Sequence, residues 1–252
     1  MNEASPDQPL PSNSALASGL GLLSEENWAP YRPVIEEMQA RRISFALGGG
    51  LAFSFYGPRV RNTKDVDFYV RREDKATVAA LLAKFQFVDF YDQKPYDRAW
   101  IYRSIRDHYI LDVIWQMANG RAGTDELWLS AGPEVDIYGL RVRFVPLEEL
   151  IWSKLYVIQF DRCDWPDLLN LIYARAAEIN WQRLLRRADA DTPLLAALIS
   201  VFAWMCPAKA AALPSWLWWQ LGIAPPTAAG PEPCDPHRVR LLDTRDWFGP
   251  VA

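Results

Sequence analysis

Apolar positions change their spacing several times along the chain, and each change marks an element. Val34, Ile35 and Met38 recur at helical spacing in residues 32–42, with Glu36, Glu37, Arg41 and Arg42 outside that face or at its end, which predicts a helix. Residues 43–47, Ile-Ser-Phe-Ala-Leu, then read as a short buried strand. Gly48, Gly49 and Gly50 interrupt the run. Leu51 to Tyr56 is a short helical stretch ended by Gly57 and Pro58, and Val66 to Val70 is a second strand bounded by charge. The unit is therefore strand, glycine turn, helix, turn, strand.

Helical spacing returns at Lys75 to Phe85, where Val78, Leu81, Leu82 and Phe85 share a side. Phe87 to Phe90 reads as a short strand. Ala99 to Ser104 and Tyr109 to Trp115 read as a hairpin turned at Ile105 to His108. Residues 116–133 are loop-like, with a local turn at Glu126 to Trp128. A further hairpin spans Val135 to Val145, turned at Tyr138-Gly139. From Pro146 the pattern is helical. Leu147, Leu150, Ile151 and Leu155 repeat at helical spacing, Asp164 and Pro166 open a helix through Tyr173, and Asn180 caps another. Asp191-Thr192-Pro193 opens an apolar helix that ends before Pro207, and Leu213 to Gln220 is a last aromatic helix. These elements predict an α/β (α+β) protein with a mixed β-sheet whose active edge is formed by the Asp65 and Asp112 strands, followed by a helical C-terminal domain. The boundaries expected are a disordered tail at 1–17, a core at 18–145, a helical domain at 146–224, and a linker and tail at 225–252. Val239 to Phe248 either docks as a short element or stays loose.

Alternation on the second strand carries the chemistry. Residues two apart in a strand face one side, so Asp65 and Asp67 point together and Val66 points into a core. Paired carboxylates repel unless a cation sits between them, and they suit a hard ion such as Mg²⁺ that also binds phosphate oxygens. Glycines let backbone approach a phosphate, and N–H groups at a helix start favour an anion. Asp-x-Asp alone is common on half-exposed strands, and a triple glycine alone is a plain turn. Their order and spacing, with Arg61, Thr63 and Lys64 in the connection, strengthen the signal. Asp112 interrupts the apolar strand Tyr109 to Trp115. A buried lone acid has to be paired or metal-bound, whereas the bland reading is a strand-end acid facing water.

Gly49-Gly50, Gly57, Arg61, Thr63, Lys64, Asp65 and Asp67, with Asp112 on a later strand, resemble the nucleotidyltransferase superfamily typified by DNA polymerase beta. The nearer likeness is to its minimal bacterial branch, which includes antitoxin-type enzymes and abortive-infection toxins. The resemblance covers residues 43–115 and implies the nucleotidyltransferase fold. It implies that Gly49 and Gly50 receive the triphosphate of an NTP, and that Asp65 and Asp67 bind two Mg²⁺ ions, with Mn²⁺ the other ion considered. Asp112 would bind one ion and help activate the attacking hydroxyl, making Asp65, Asp67 and Asp112 the catalytic and metal residues. Arg61 and Lys64 are candidates for charge support, with Arg61 equally suited to fixing the loop to the core. Lys154, on the helix after Pro146, resembles a lysine that related enzymes use near the nucleotide, and its bland reading is a lysine snorkelling from a helix.

Charge and composition narrow the partners. The chain has 252 residues, a formal charge of −4 and a pI near 5.3, so it has no global attraction to nucleic acid. Arg183, Arg186 and Arg187 form either a small basic patch or the solvated face of an amphipathic helix. The acceptor expected is nevertheless an RNA or a protein, because the helical half is large and the nearer relatives are toxin–antitoxin enzymes. The alternatives are a small-molecule, aminoglycoside-type transferase, a non-catalytic component paired with a cognate toxin or antitoxin, and a plain structural domain. Three widely spaced cysteines, Cys163, Cys206 and Cys234, imply neither a disulfide framework nor zinc, so a reducing cytosol is expected. Residues 1–17 lack the basic start and apolar core of a signal peptide. The apolar run before Pro207 falls short of the roughly 20 residues of a membrane helix, so no membrane is expected.

Overall fold

A computed structural model describes residues 23–60, 63, 65–227 and 232–248. These form two compact units, one drawn from residues within 1–51 and 61–145, the other from residues within 52–60 and 146–252. The expected tail at 1–17 lies outside the described residues, as do Arg61 and Lys64.

In chain order the first part holds α1 (Glu25–Trp28), α2 (Arg32–Ala40), β1 (Phe45–Leu47), α3 (Gly49–Tyr56), β2 (Asp65–Val70), α4 (Lys75–Lys84) and β3 (Val88–Asp89). It continues with β4 (Ile101–Arg106), β5 (Tyr109–Ile114), α5 (Glu126–Ser130), β6 (Glu134–Ile137) and β7 (Leu140–Arg143). Five strands form one mixed sheet in the order β1-β2-β5-β4-β3, in which β2 and β5 run parallel and the other neighbours antiparallel. The aspartate strands are thus adjacent, but they do not form an edge. β1 folds back onto β2 after the glycine turn, and the hairpin lays β4 along β5, so both are paired on either side. The second hairpin, β6–β7, makes its own two-stranded sheet. It meets the large sheet through a Leu47–Phe144 bridge and the Val145 N–H donating to Leu47 O at 2.9 Å.

One face of the large sheet is a dry core. Val66, Phe68 and Val70 of β2 are buried, as are Leu111 and Val113 of β5. Burying each such side chain contributes roughly 1.5–3 kcal/mol. Ser104, also buried, donates to Leu111 O at 2.9 Å and so leaves no hydroxyl unsatisfied. The hairpin turn is tighter than expected. β4 runs on to Arg106, leaving Asp107-His108 as the turn, with Asp107 at φ 55°. The segment read as a local turn at Glu126 is a helix, because Asp125 accepts from the backbone N–H groups of Leu127 and Trp128.

The second unit is helical: α6 (Leu147–Leu155), α7 (Trp165–Arg175), α8 (Trp181–Ala188), α9 (Thr192–Met205), α10 (Pro207–Ala211), α11 (Ser215–Leu221) and α12 (Pro236–Leu242). Asn180 caps α8 by accepting from the Arg183 N–H, and prolines sit in the first turns of α7 and α9. Gly222 closes α11 in the left-handed conformation that favours glycine. Arg183 and Arg187 form neither a basic patch nor a solvated face. They lie 2.7 and 3.0 Å from the carboxylate of Glu149, which is fully buried on α6. Burial pushes the Glu149 carboxyl up, and the two arginines pull it back.

Among the described residues, Trp181–Met205 is the one helical stretch long and apolar enough by composition to cross a membrane. A 3-10 turn at Asp189–Asp191 divides it, with Asp189 at φ 51°. α9 alone has 14 residues, about 21 Å of helix against a hydrocarbon layer of about 30 Å. Its Leu195, Leu198, Ile199, Phe202 and Met205 are buried within the unit. Cys206 and Cys234 form a disulfide, contrary to the expectation from their number and spacing. The C-terminal segment returns to the end of α9, where the Asp235 N–H donates to Met205 O at 2.8 Å, and so brings Cys234 to Cys206. This removes the ground on which a reducing cytosol was expected. The returning segment docks: Arg238 donates to Trp204 O at 2.9 Å, and Phe248 stacks on Tyr173 at 4.4 Å.

Candidate active site

The open face of β2 and β5 gathers the acids. Along β2 the even positions Val66, Phe68 and Val70 are buried, and Asp65, Asp67 and Tyr69 on the other face are half-buried. Parallel pairing sets Asp67 beside Asp112, with Asp65 one pleat away beside Ile110. Asp112 is only 1% exposed, so it does not face water as the bland reading required.

The glycine turn is built against this face. Gly48 donates its N–H to Asp67 O at 3.0 Å. Gly49 has φ +53°, and a Cβ there would lie 1.6 Å from Asp67 Oδ2. Only a residue without a side chain lets the backbone pass the carboxylate so closely. At Gly50 a Cβ would meet Thr63 Oγ1 at 2.7 Å. Thr63 in turn braces Asp65, its hydroxyl donating to Asp65 Oδ1 at 2.9 Å. The start of α3, both aspartates of β2 and Thr63 are therefore held by mutual close approach.

Two residues of the site were not singled out from the sequence. The first is Arg103 on β4, directly across from Asp112. Its Nε donates to Asp112 Oδ1 at 2.8 Å, its Nη2 donates to Asp112 Oδ2, and the same Nη2 lies 3.7 Å from Asp65 Oδ2. The tight turn places it: two residues at Asp107-His108 pair Arg106 with Tyr109 and, counting outward, Arg103 with Asp112, whereas the longer turn expected at Ile105 to His108 sets Ile101 there. Burial raises the Asp112 carboxyl above the usual carboxylate range, against the pull of Arg103, and nearby Asp65 adds to the rise. The Arg103 guanidinium is held still more firmly protonated, first by its hydrogen bond to Asp112. The second residue is Tyr31, 2% exposed, whose hydroxyl donates to Ile110 O at 3.1 Å. Burial, then the charge of Asp65, pushes that hydroxyl well above its ordinary value.

The donor set suits a divalent cation at Asp65 and Asp67: hard oxygens on one face, with backbone drawn close behind them. Asp112 is different, because both its oxygens already carry Arg103. Among the described residues no group of three or more His, Cys, Asp or Glu is arranged to hold a metal ion. Lys154 belongs to the second unit and is neither snorkelling nor a free cation. It is 6% exposed, with its Nζ 2.7 Å from both Asp164 Oδ2 and Asp167 Oδ2. Burial pushes Asp164 up, but Arg162 and Lys154 outweigh it and leave this carboxyl below the usual range. The acidic run that opens α7 is thus the partner of the lysine.

The model of the family described as aminoglycoside-2''-adenylyltransferase matches residues 32–119. Among solved structures, that of ANT(2'')-Ia, described as an antibiotic-resistance factor, is 16% identical, covers 70% of this chain and 96% of its own, and has a TM-score of 0.48. An antigenic nucleotidyltransferase-like protein from Paracoccidioides brasiliensis is 17% identical over 71% of this chain and 89% of its own, TM-score 0.48. The lincosamide antibiotic adenylyltransferase LnuA, solved with lincomycin bound, is 14% identical over 59% of this chain and 96% of its own, TM-score 0.42. No curated protein matches. The matched residues 32–119 hold the glycine turn, both aspartates of β2 and Asp112, so the stretch that gathers these acids is the stretch similar to a nucleotidyltransferase family.

Proposed function

We propose that the chain is an adenylyltransferase that moves AMP from ATP to a hydroxyl of a small, cationic, aminoglycoside-like molecule, releasing pyrophosphate. The observation that carries the reading is the convergence of Asp65, Asp67 and Asp112 beside the Gly49-Gly50 turn, within the segment matched by the aminoglycoside-2''-adenylyltransferase family model. The acceptor oxygen forms a bond to the α-phosphorus, the bond from that phosphorus to the pyrophosphate oxygen breaks, and the hydroxyl proton is lost.

Each residue has a part in this. Gly49 and Gly50 bring the N–H groups at the start of α3 to the triphosphate without a side chain in the way. Asp65 and Asp67 would hold a divalent cation, Mg²⁺ or Mn²⁺, which when bound supplies charge stabilisation at the phosphate oxygens. Asp112 accepts the proton of the attacking hydroxyl. Its raised carboxyl favours that task, and each of its oxygens keeps a lone pair beyond the one that takes Arg103.

A small acceptor is preferred over the RNA or protein expected from the sequence. A formal charge of −4 opposes a polyphosphate chain and attracts a polycation, and Arg183 and Arg187, the strongest candidates for a basic patch, are spent on Glu149. No observation favours a toxin–antitoxin partner over this reading. The test is incubation with α-labelled ATP, Mg²⁺ and, separately, tobramycin, lincomycin, total RNA and a cell lysate. Label on tobramycin is expected, label on lincomycin alone would move the acceptor class, and label in RNA or protein bands would overturn the small-molecule reading.

A further inference from the structure

Arg103 occupies a place where a nucleotidyltransferase with two metal ions would need a free carboxylate. Its guanidinium grips both oxygens of Asp112 and leans toward Asp65 at 3.7 Å. The Asp112 side chain is 2% exposed, whereas those of Asp65 and Arg103 are 36% and 32% exposed. A planar, forked, charge-assisted pair on a nearly dry carboxylate is the strong form of such an interaction, and removing one partner strands the other charge. An ion bridging Asp65 and Asp112 has to displace that fork. An ion on Asp65 and Asp67 does not.

We propose that Arg103 is a built-in cation that stands in for one of the two divalent ions, so that the site binds a single divalent ion, on Asp65 and Asp67, with Arg103 positioning Asp112. This rests on the nucleotidyltransferase reading and departs from the two-ion expectation. The guanidinium cannot lose its proton at working pH, so its charge is permanent and needs no metal supply. It also fixes the Asp112 carboxylate in one plane, because both Nε and Nη2 donate to it. The hairpin register is what places it there, since pairing of Arg103 with Asp112 follows from the two-residue turn.

The test counts ions rather than turnover. The full chain is dialysed to equilibrium against Mn²⁺ and α,β-methylene-ATP, which binds but cannot transfer AMP, and bound Mn²⁺ is measured above the protein-free chamber. One ion per chain is expected for the natural sequence and two for Arg103→Met, in which Asp112 is released to a second ion. Arg103→Met with Asp112→Asn should return to one ion. That double variant also restores neutrality, so it guards against a fold lost to a stranded charge. Arg103→Lys, which keeps charge without the fork, should bind the second ion at least tenfold more weakly than Arg103→Met. Two ions in the natural sequence, or one in both it and Arg103→Met, would overturn the proposal while leaving nucleotidyl transfer standing. No ion in any variant would take down the nucleotidyltransferase reading with it.

Discussion

Replacing Gly49 by alanine separates the two reasons for having glycine there. The first is conformational. At φ +53° an alanine pays the left-handed penalty, about 1–2 kcal/mol. The second is spatial, because the new Cβ would start 1.6 Å from Asp67 Oδ2 and 2.5 Å from its Cγ. The carboxylate must swing away by about 1.4 Å before the contact is tolerable, and a 1 Å misplacement of a catalytic group costs on the order of 100-fold in rate. The swing is cheap for the fold, because it is the end of a side chain that moves. Gly49→Ala should therefore lower Tm by a few degrees, at about 2–4 °C per kcal/mol, yet reduce AMP transfer about 100-fold. Gly139→Ala is the matched control. Gly139 also has positive φ, +78°, in the β6–β7 turn, but nothing lies within 4 Å of its added Cβ. It should lose similar stability and keep its activity. The assay is labelled AMP transfer beside a melting curve for both variants. Equal activity in the two would refute the claim that close approach of the turn to Asp67 matters.

Asp67→Asn should abolish transfer with Tm near that of the natural protein, since the amide keeps the shape and loses the charge a divalent cation needs; full activity would end the metal assignment. Lys154→Met should cost about 3 kcal/mol, the lower end for breaking a buried pair, because Arg162 still holds Asp164. A denaturant midpoint unchanged from the natural protein would show that Lys154 contributes nothing to the fold. Asp164 has a depressed carboxyl, so its ionised form adds stability above the ordinary carboxylate value near pH 4, and that stability is lost as pH falls through the lower folded value. The Tm gap between the natural protein and Asp164→Asn should thus narrow from pH 6 towards pH 3, and a constant gap would contradict it.

What the sequence made legible is what punctuation and period control. β1, α3 and β2 stand out because three glycines break a buried run and because Asp-x-Asp alternates with Val66, Phe68 and Val70. α8 is visible through Asn180, and the start of α9 through Pro193. Less legible were features decided by partners distant in sequence. Periodicity showed that β6–β7 was a hairpin, but not that it would form a separate sheet. It showed the aspartate strands, but not that β1 and β4 would flank them. Cys206 and Cys234 are 28 residues apart and meet only because the chain returns to α9. α5 and α12 fell in segments read as loop and tail from their glycines and prolines, although Asp125 and Asp235 each supply a cap. Arg103 was hidden by the turn length, since counting outward from the expected turn at Ile105 to His108 sets Ile101 opposite Asp112, and only the two-residue turn brings Arg103 there.

The parallel pairing of β2 with β5 also decides when the site comes into being. The β4–β5 hairpin joins residues close in sequence through a two-residue turn, and such local structure closes within microseconds. Asp112 therefore meets Arg103 early. Asp67 comes beside Asp112 only after α4, β3 and the intervening loop have been gathered in, a contact whose loop entropy must be met before it is rewarded. The partner of Asp112 is thus nine residues away along the chain, whereas its neighbouring acids come from a strand separated from it by α4, β3 and β4. A nucleotide and its ion recognise an arrangement completed late, so they should slow unfolding of the first unit and leave its folding rate almost unchanged.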